Sequence, residues 1–327
     1  MRGLTPPVAA LRCPACGDSL EVLPGPAEAG RLPPEGRLAC PACRRDYPIV
    51  GGVPRFVTTA TGYAESFGIQ WRRYEVQRPA EDRAVFLAKT GFGPGDLDGR
   101  LVLDAGCGSG RYAAVAASLG GQVAAVDVTA AVERAREVCA SVPAVQVVQA
   151  DLLRLPFAPA SFDTIYSIGV LHHTADTRTA FDALVRVLKP GGRLAVWVYR
   201  RNTWLQERVN AGLRALARRL SDRTLHRLAV VGAVGGGLPL VRRANLLVPF
   251  SSHPDWHIRV CDTYDWYAPR YQHHHSVAET VSWFRAQGFE DVRPLRGYLP
   301  RSAGYDWIHD RGFLPGSGVS VVGRRPA

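Results

Sequence analysis

The sequence predicts an α/β protein in which a doubly wound parallel sheet of seven strands follows a small cysteine-containing ribbon. Three observations carry this prediction: apolar strand patterns alternate with helical patterns, two C-P-A-C copies stand near the start, and a long arginine-rich and aromatic stretch interrupts the alternation. The expected parts are a ribbon over 8–57, a linker and helical segment over 58–98, and a sheet domain over 99–327 with an insertion at about 200–272.

Charge and hydropathy limit the class of protein. The 327 residues carry a net charge of +11, and Lys89 and Lys189 are the only lysines, so the excess is arginine. Nine arginines fall within 201–250, which is compatible with RNA or with peripheral contact to anionic lipid. Neither a signal peptide nor a membrane-spanning apolar run is recognisable, and we expect a cytoplasmic protein.

Two cysteine pairs predict a structural metal site. Each pair stands in a C-P-A-C turn, where two thiolates can converge on one ion, and without an export signal zinc is favoured over disulfides. Four thiolates fill a tetrahedron, so this Zn²⁺ is expected to be structural and not catalytic. The predicted ligands are Cys13, Cys16, Cys40 and Cys43.

A glycine-rich turn and a series of strand ends predict a nucleotide-type ligand. The apolar strand in "LVLDAGCGSG" ends at Asp104 and leads through glycines into a helix, whose N-terminus can receive a ligand. Later strands end at Asp127, at Asp151 and in "YSIGVLHHT". Because ligands bind outside the carboxyl ends of parallel strands, these residues share one edge, where Asp127 can accept hydrogen bonds from ribose hydroxyls.

As a set, "LDAGCGSG", "ADLLRLPF", "VLHHT" and "LKPGG" resemble the motifs of class I S-adenosylmethionine-dependent methyltransferases of the type 11 group, over residues 99–199. The resemblance implies a Rossmann-like sheet with S-adenosylmethionine along the glycine turn, Asp127 on the ribose and Asp151 near the adenine amine. The full donor set that we assign on this basis is Asp104, Gly106, Gly108, Gly110, Asp127, Asp151, Leu152 and Ser167.

Two further stretches resemble parts of zinc-ribbon methyltransferases. The segment "YPIVGGVPRF" resembles the end of Trm112-like zinc ribbons, and that resemblance covers residues 10–57. The stretch "YAESFGIQWRRY", over 63–74, resembles a segment that recurs in methyltransferases with such ribbons, where we expect it to close over the donor.

Histidines are the candidate catalytic groups. His172 and His173 follow the fourth strand, where they serve either as general base or as packing against the donor. In "QHHHS" metal binding is disfavoured, because helical His ligands would stand four residues apart. Ser276 and Glu279 form a capping box for the next helix, and His273 and His275 are expected on a common side, facing the acceptor.

The acceptor is limited mainly by motifs that do not occur. The fourth strand is not followed by an N/D-P-P-Y/F turn or a Pro-Cys pair, which argues against methylation of base amines and of cytosine C5. We therefore expect a small-molecule or glycan acceptor with a reactive hydroxyl, as in biosynthesis of secondary metabolites. An rRNA or tRNA methyltransferase and a non-catalytic donor-binding scaffold remain the alternatives.

Overall fold

The computed structural model describes residues 5–25, 30–57, 77–238, 250–295 and 318–327. A four-stranded antiparallel sheet forms the N-terminal ribbon, in the order β1-β2-β3-β4. Its strands are β1 (Glu21–Leu23), β2 (Glu35–Ala39), β3 (Asp46–Val50) and β4 (Val53–Pro54), after a short helix α1 (Pro6–Ala9). The pairing of β1 with β2 matches the hairpin that the Pro/Gly-rich stretch between the cysteine pairs indicates.

A seven-stranded sheet forms the second part, in the order β10-β11-β9-β8-β5-β6-β7. Its strands are β5 (Leu101–Ala105), β6 (Gln122–Asp127), β7 (Val145–Gln149), β8 (Phe162–Ile168), β9 (Leu188–Val198), β10 (Glu290–Leu295) and β11 (Val319–Arg324). The predicted doubly wound, Rossmann-like fold is confirmed. The order reverses at β5, which lies between β6 and β8, so a ligand crevice is expected above β5.

Helices cover both faces of this sheet and build the insertion. They are α2 (Pro79–Thr90), α3 (Arg111–Ser118), α4 (Ala131–Val138), α5 (Thr177–Val187), α6 (Trp204–Ala217), α7 (Asp222–Gly237), α8 (Trp256–Tyr267) and α9 (Val277–Ala286). The predicted capping box is present, with Ser276 and Glu279 bonding reciprocally at the start of α9. Within the described ranges, none of the helices has the length and apolar character to cross a bilayer.

Two details of the sheet differ from the sequence-based expectation. The sheet is not wholly parallel, because β11 pairs antiparallel with both β9 and β10. The Lys-Pro-Gly-Gly segment is not a separate turn either, because β9 begins at Leu188 and continues through Gly191.

The ribbon packs against the edge of the large sheet. The Phe56 amide donates to the Gln149 carbonyl over 2.8 Å, and the Arg12 amide donates to the Pro156 carbonyl over 2.8 Å. Leu11, Ile49 and other ribbon residues share one buried cluster with residues of the sheet domain such as Phe157. The ribbon therefore protects edge strand β7, which would otherwise expose unpaired backbone groups.

Candidate active site

The glycine turn lies between β5 and α3, at the carboxyl edge of the large sheet. Gly106 has φ of 91°, and a Cβ atom there would collide with the side chain of Val170. Gly110 has φ of 81° and lies so close to α4 that a Cβ atom would stand 3.0 Å from the Cα atom of Ala135. Only glycine fits both conditions, and the turn consequently presents bare backbone toward the space above β5.

Asp127 joins the end of β6 to this turn. Its Oδ2 atom accepts a hydrogen bond from the Gly108 amide at 2.9 Å, and its Oδ1 atom accepts from the amide and hydroxyl of Thr129 at 2.9 and 2.7 Å. Burial raises the pKa of this carboxyl, and the hydrogen bonds oppose that rise. Each carboxylate oxygen has more than one lone pair, so Asp127 can also accept from ribose hydroxyls.

Asp104 provides the clearest indication of a missing ligand. Asp104 is 2% exposed, and Oδ2 makes no hydrogen bond of ordinary geometry among the described residues, although the Tyr166 hydroxyl is close enough to lower the pKa of this carboxyl. Burial raises the pKa of this carboxyl to about 8. A buried acceptor without a partner is costly, and the ammonium group of an amino-acid moiety would supply both a proton donor and a compensating charge. The residues around the turn therefore fit the methionine part of S-adenosylmethionine.

The remaining predicted donor residues lie at the same edge with different local roles. Asp151 follows β7 and caps a short 3₁₀ turn, where its Oδ1 atom accepts from the Leu153 amide at 2.9 Å. Leu152, the first residue of that turn, is buried. Ser167 donates its hydroxyl to the Ala105 carbonyl at 2.8 Å. This bond fastens β8 to β5, so the Ser167 hydroxyl proton is already used within the protein.

His172 and His173 stand in a 3₁₀ turn after β8, and both are buried. His172 Nδ1 accepts the Tyr199 amide proton at 3.4 Å, which places the ring proton of neutral His172 on Nε2. His173 Nδ1 lies 2.9 Å from the Tyr271 carbonyl, to which it can only donate, so Nε2 of neutral His173 carries the lone pair. The two rings therefore have opposite tautomers, and only His173 presents a basic nitrogen at Nε2.

A carboxylate and a phenol lie beside His173. Asp265 Oδ2 is 3.8 Å from His173 Nε2 and accepts a hydrogen bond from the Tyr199 hydroxyl at 2.7 Å. Trp266 stacks on Tyr199 with ring centroids 5.0 Å apart. Burial lowers the pKa of His173 to about 3, and it lowers the pKa of His172 well below the ordinary value. Both imidazoles are therefore neutral at pH 7, and His173 keeps its lone pair.

Two cationic groups near this cleft, Lys89 and Arg111, escaped the sequence analysis. Lys89 on α2 places its Nζ atom 3.7 Å from the ring centroid of Trp197, at the end of β9. Burial, and after it the charge of Arg111, lowers the pKa of Lys89 to about 7. Desolvation near the neighbouring helices raises the pKa of Asp262 on α8 to about 6, and the nearby Asp265 adds to the rise.

Lys89 and Arg111 were missed because residues that are distant in the sequence come together only in the fold. Arg111 directly follows the glycine turn and forms an ion pair with Asp82 of α2 at 3.4 Å. Lys89 and Arg111 are far apart in the sequence from Asp262, and nothing in their local pattern indicates that they meet. The one available signal was the rarity of lysine, since Lys89 is one of two in the chain.

The histidine triplet lies close to His172 but is engaged in other contacts. The His273 amide donates to the His172 carbonyl at 2.9 Å, and His273 Nε2 is 3.2 Å from the Thr174 carbonyl. His275 Nδ1 is 2.8 Å from Glu279, and its Nε2 is 3.2 Å from the Thr177 hydroxyl. His273 and His275 do lie near each other, with centroids 6.4 Å apart.

These contacts show how the triplet is held, and a role of His273 and His275 toward the acceptor stays a prediction. Both ring nitrogens of His275 are engaged within the protein. His274 pairs with Glu207 at 2.7 Å. His257, outside the triplet, is exposed on α8. Among the described residues, the group arranged to hold a metal is formed by cysteines and not by this triplet.

The four predicted zinc ligands meet at one end of the ribbon, with all four Sγ atoms within 4.8 Å of one another. The Gly17 amide donates to the Cys13 carbonyl, and the Arg44 amide donates to the Cys40 carbonyl in the matching position. Gly17 and Arg44 both have positive φ, 80° and 59°. Two equivalent knuckles thus aim their thiols at a common centre, and the sulfur spacing fits a tetrahedral Zn²⁺ with bonds of about 2.3 Å.

The stretch over 63–74, expected to close over the donor, lies outside the described residues.

Comparisons with known proteins agree with this geometry. Residues 103–196 match the sequence profile of the family described as a methyltransferase domain. The chain is 42% identical over 105 residues to the O-methyltransferase resE of Aspergillus sclerotiorum, covering 30% of this chain and 39% of that protein. It is 36% identical over 118 residues to the probable tRNA methyltransferase 9B of Bos taurus, covering 34% of this chain and 23% of that protein.

A solved complex between the Haloferax volcanii Trm112 methyltransferase activator and a putative methyltransferase aligns with a TM-score of 0.48 and 16% identity, covering 82% of this chain and 98% of the other. The chain spans only 39% of resE and 23% of the bovine protein. The matched segment contains β5 to β9 and the glycine turn. Residues 103–196 therefore match a methyltransferase domain in sequence.

Proposed function

We propose that the protein transfers the methyl group of S-adenosylmethionine to a hydroxyl of a small-molecule or glycan acceptor. The observation that carries this proposal is the cluster of His173, Asp265 and Tyr199 at the strand edge, next to the glycine turn. The name of the similar Aspergillus protein, an O-methyltransferase, supports oxygen as the methylated atom. A biosynthetic acceptor also suits the aromatic surroundings of Tyr199 and Trp266.

The donor supplies a methyl group already activated by a positively charged sulfur. The protein therefore has two tasks, to hold the acceptor oxygen in line with that methyl and to remove the hydroxyl proton. As the new oxygen–carbon bond forms, the sulfur–carbon bond breaks and its electron pair returns to sulfur. The acceptor proton passes to His173 Nε2, which carries the lone pair of the ring because Nδ1 donates to the Tyr271 carbonyl.

A weak base is sufficient for this step. A hydroxyl that has begun to bond to carbon becomes oxonium-like and is a far stronger acid than an imidazolium ion, so a His173 of low pKa can still accept its proton. Asp265, 3.8 Å from Nε2, stabilises the imidazolium that results. His172 cannot take this role, because its Nε2 atom already carries the ring proton; it can instead donate a hydrogen bond to the acceptor.

The ribbon is proposed to hold one structural Zn²⁺ through Cys13, Cys16, Cys40 and Cys43. Four protein ligands leave no position for water or substrate. The metal is therefore assigned to the stability of the ribbon, whose type we propose to be Trm112-like, and not to the transfer reaction.

An rRNA or tRNA acceptor is the second candidate. The charge of +11 and the similarity to a protein named as a probable tRNA methyltransferase favour it. Phosphate contacts release counterions, so RNA binding would weaken steeply between low and moderate salt, whereas binding of a neutral small acceptor would change little.

The test uses S-adenosylmethionine labelled in its methyl group and fractionated extract of the source cells. The wild-type protein should label a low-molecular-weight or glycan fraction. His173→Asn and Asp265→Asn should slow labelling by about 100-fold while donor affinity stays within about twofold, because only proton removal is impaired. His257→Asn, at an exposed position on α8, serves as the matched control.

Three outcomes would contradict the proposal. Full activity of His173→Asn would remove the assigned base. Label found in RNA, with steep salt dependence, would favour the second candidate. Donor binding without transfer to any fraction would indicate the scaffold alternative.

A further inference from the structure

A cavity of about 600 Å³ lies between α6, the 270–275 segment and the start of α9. The amides of His273 and His275 donate to the carbonyls of His172 and Tyr199, so this segment runs between the end of β9 and the cavity. The cavity is consequently separate from the space above the glycine turn. We call it the arginine cavity, and its charged lining residues are Arg201, Arg214, Arg218, Arg270, Glu207 and Glu279.

The two carboxylates of the arginine cavity already have hydrogen-bond partners. Glu207 accepts from His274 Nδ1 at 2.7 Å. Glu279 accepts from Arg201 at 2.7 Å and from His275 Nδ1 at 2.8 Å. These bonds hold the pKa of both glutamates below the usual value even though burial alone would raise it. Neither carboxylate is therefore free to balance the other three arginines.

Arg214 is the buried centre of this positive charge. It is 6% exposed, and its two terminal nitrogens donate to the carbonyls of Trp266 and Pro269 at 2.8 and 2.6 Å. Both partners are uncharged. Burial, followed by the charge of Arg218, lowers the pKa of Arg214 to about 10, and the charge of Asp265 only partly opposes this change. A desolvated guanidinium that faces another guanidinium is unfavourable, and a bound anion would relieve it.

Arg218 and Arg270 lie at the exposed rim with unused donors. Arg218 uses only Nε, toward the Arg214 carbonyl at 3.3 Å, and Arg270 stacks near Tyr271 at 5.6 Å from the ring centroid. Among the described residues, no carboxylate forms an ion pair with Arg214, Arg218 or Arg270. Guanidinium forks match phosphate oxygens in pairs, which suits these side chains to an oxyanion of tetrahedral geometry.

We propose that the arginine cavity binds a phosphate monoester group. Its four arginines exceed its two glutamates by two positive charges, which a phosphate monoester of charge about −1.5 to −2 would balance better than a carboxylate. The ligand would bridge α6 and the 270–275 segment and so fix the backbone that holds His172 and His173. This proposal does not depend on which acceptor receives the methyl group.

Calorimetry on the full-length protein tests the proposal with glycerol phosphate as the probe and with acetate as a carboxylate comparison, at constant ionic strength. Saturable binding of glycerol phosphate but not of acetate is expected. Arg218→Gln and Arg270→Gln should each weaken it by about tenfold, because each removes a charged partner of the phosphate. Arg285→Gln removes one exposed arginine of α9 outside the cavity and should leave binding unchanged.

Vesicles identify the source of the phosphate group. Vesicles containing phosphatidic acid, compared with pure phosphatidylcholine, present the same monoester on a lipid. Binding that requires Arg218 and Arg270 and is competed by glycerol phosphate would indicate a lipid ligand, while binding of the soluble probe alone would indicate a soluble one. The proposal is wrong if no saturable binding occurs, or if Arg285→Gln weakens binding as much as Arg218→Gln does.

Discussion

The Gly108 amide donates a hydrogen bond of 2.9 Å to Asp127 Oδ2, and this bond joins the glycine turn to the end of β6. Asp127 thereby fixes the backbone conformation of the turn, and it keeps lone pairs with which we expect it to accept from ribose hydroxyls. The turn and the ribose acceptor are one unit, and a change at Asp127 should affect the whole donor site.

Asp127→Asn should weaken binding of S-adenosylhomocysteine by about ten- to a hundredfold, because hydrogen bonds to a charged acceptor are replaced by weaker neutral ones. Calorimetry measures the loss. The matched control is Asp182→Asn, since Asp182 is paired with Arg178 on the surface of α5. Equal affinity of wild type and Asp127→Asn would remove the ribose assignment.

The low pKa of His173 predicts a pH-dependent difference in stability. In the unfolded chain the imidazole protonates near pH 6.5, whereas in the folded protein burial keeps it neutral until about pH 3. Unfolding therefore takes up a proton below pH 6.5, and this residue disfavours the folded state progressively as pH falls from 6.5 toward 3. Above pH 6.5 it has no such effect.

Asp104, whose pKa is raised to about 8, changes the stability with pH in the opposite direction. Asp104 is present in both proteins, so the comparison of wild type with His173→Asn isolates the contribution of His173. Denaturant unfolding is measured at pH 7.5, 6.5 and 5.5. Below pH 6.5 the wild type should lose free energy of unfolding relative to His173→Asn, by at most about 1.4 kcal/mol per pH unit. A constant difference would show that His173 titrates alike in the folded and the unfolded protein, so that burial does not hold it neutral.

Zinc removal should destabilise the ribbon and the edge of the sheet together, because both share one buried cluster. Cys40→Ser should lose the metal and lower the thermal midpoint. Cys261→Ser, at a buried position outside the cysteine cluster, should keep the zinc. Elemental analysis that finds no zinc in the wild-type protein would contradict the assignment.

Arg55 is a polar side chain that links the ribbon to the sheet domain. It bonds Gln149 at 3.0 Å and Glu133 at 2.5 Å, and its side chain is 11% exposed. Arg55→Met should lower the free energy of unfolding by about 1 kcal/mol or more, since Glu133 and Gln149 lose their partner. Arg37→Met, which removes an exposed pair with Asp46, should change it by less than about 0.5 kcal/mol. Equal effects would show that Arg55 contributes no more than a surface charge.

Local sequence patterns were sufficient for much of the fold. The strand and helix order, the cysteine knuckles and the Ser276 cap each depend on residues close together in the chain. The direction of β11 was missed, because an apolar strand pattern is the same for parallel and antiparallel pairing.

The candidate site was harder to predict, because the tautomers and hydrogen-bond partners of its histidines depend on residues that are distant in the sequence. The sequence could place His172 and His173 at the edge of the sheet, but their tautomers are set by Tyr199 and Tyr271. The roles of the triplet depend on Glu207 and Glu279 from two separate helices, a pairing that histidine spacing alone does not reveal.

The central claim is that the chain binds S-adenosylmethionine above β5 and transfers its methyl group. The most direct measurement is calorimetric titration of the purified protein with S-adenosylhomocysteine, followed by transfer of labelled methyl to the source extract. The account predicts one donor site per chain, weakened in Asp127→Asn, and protein-dependent labelling that is slowed in His173→Asn. Binding of NAD in place of S-adenosylhomocysteine, or no binding of either, would contradict it.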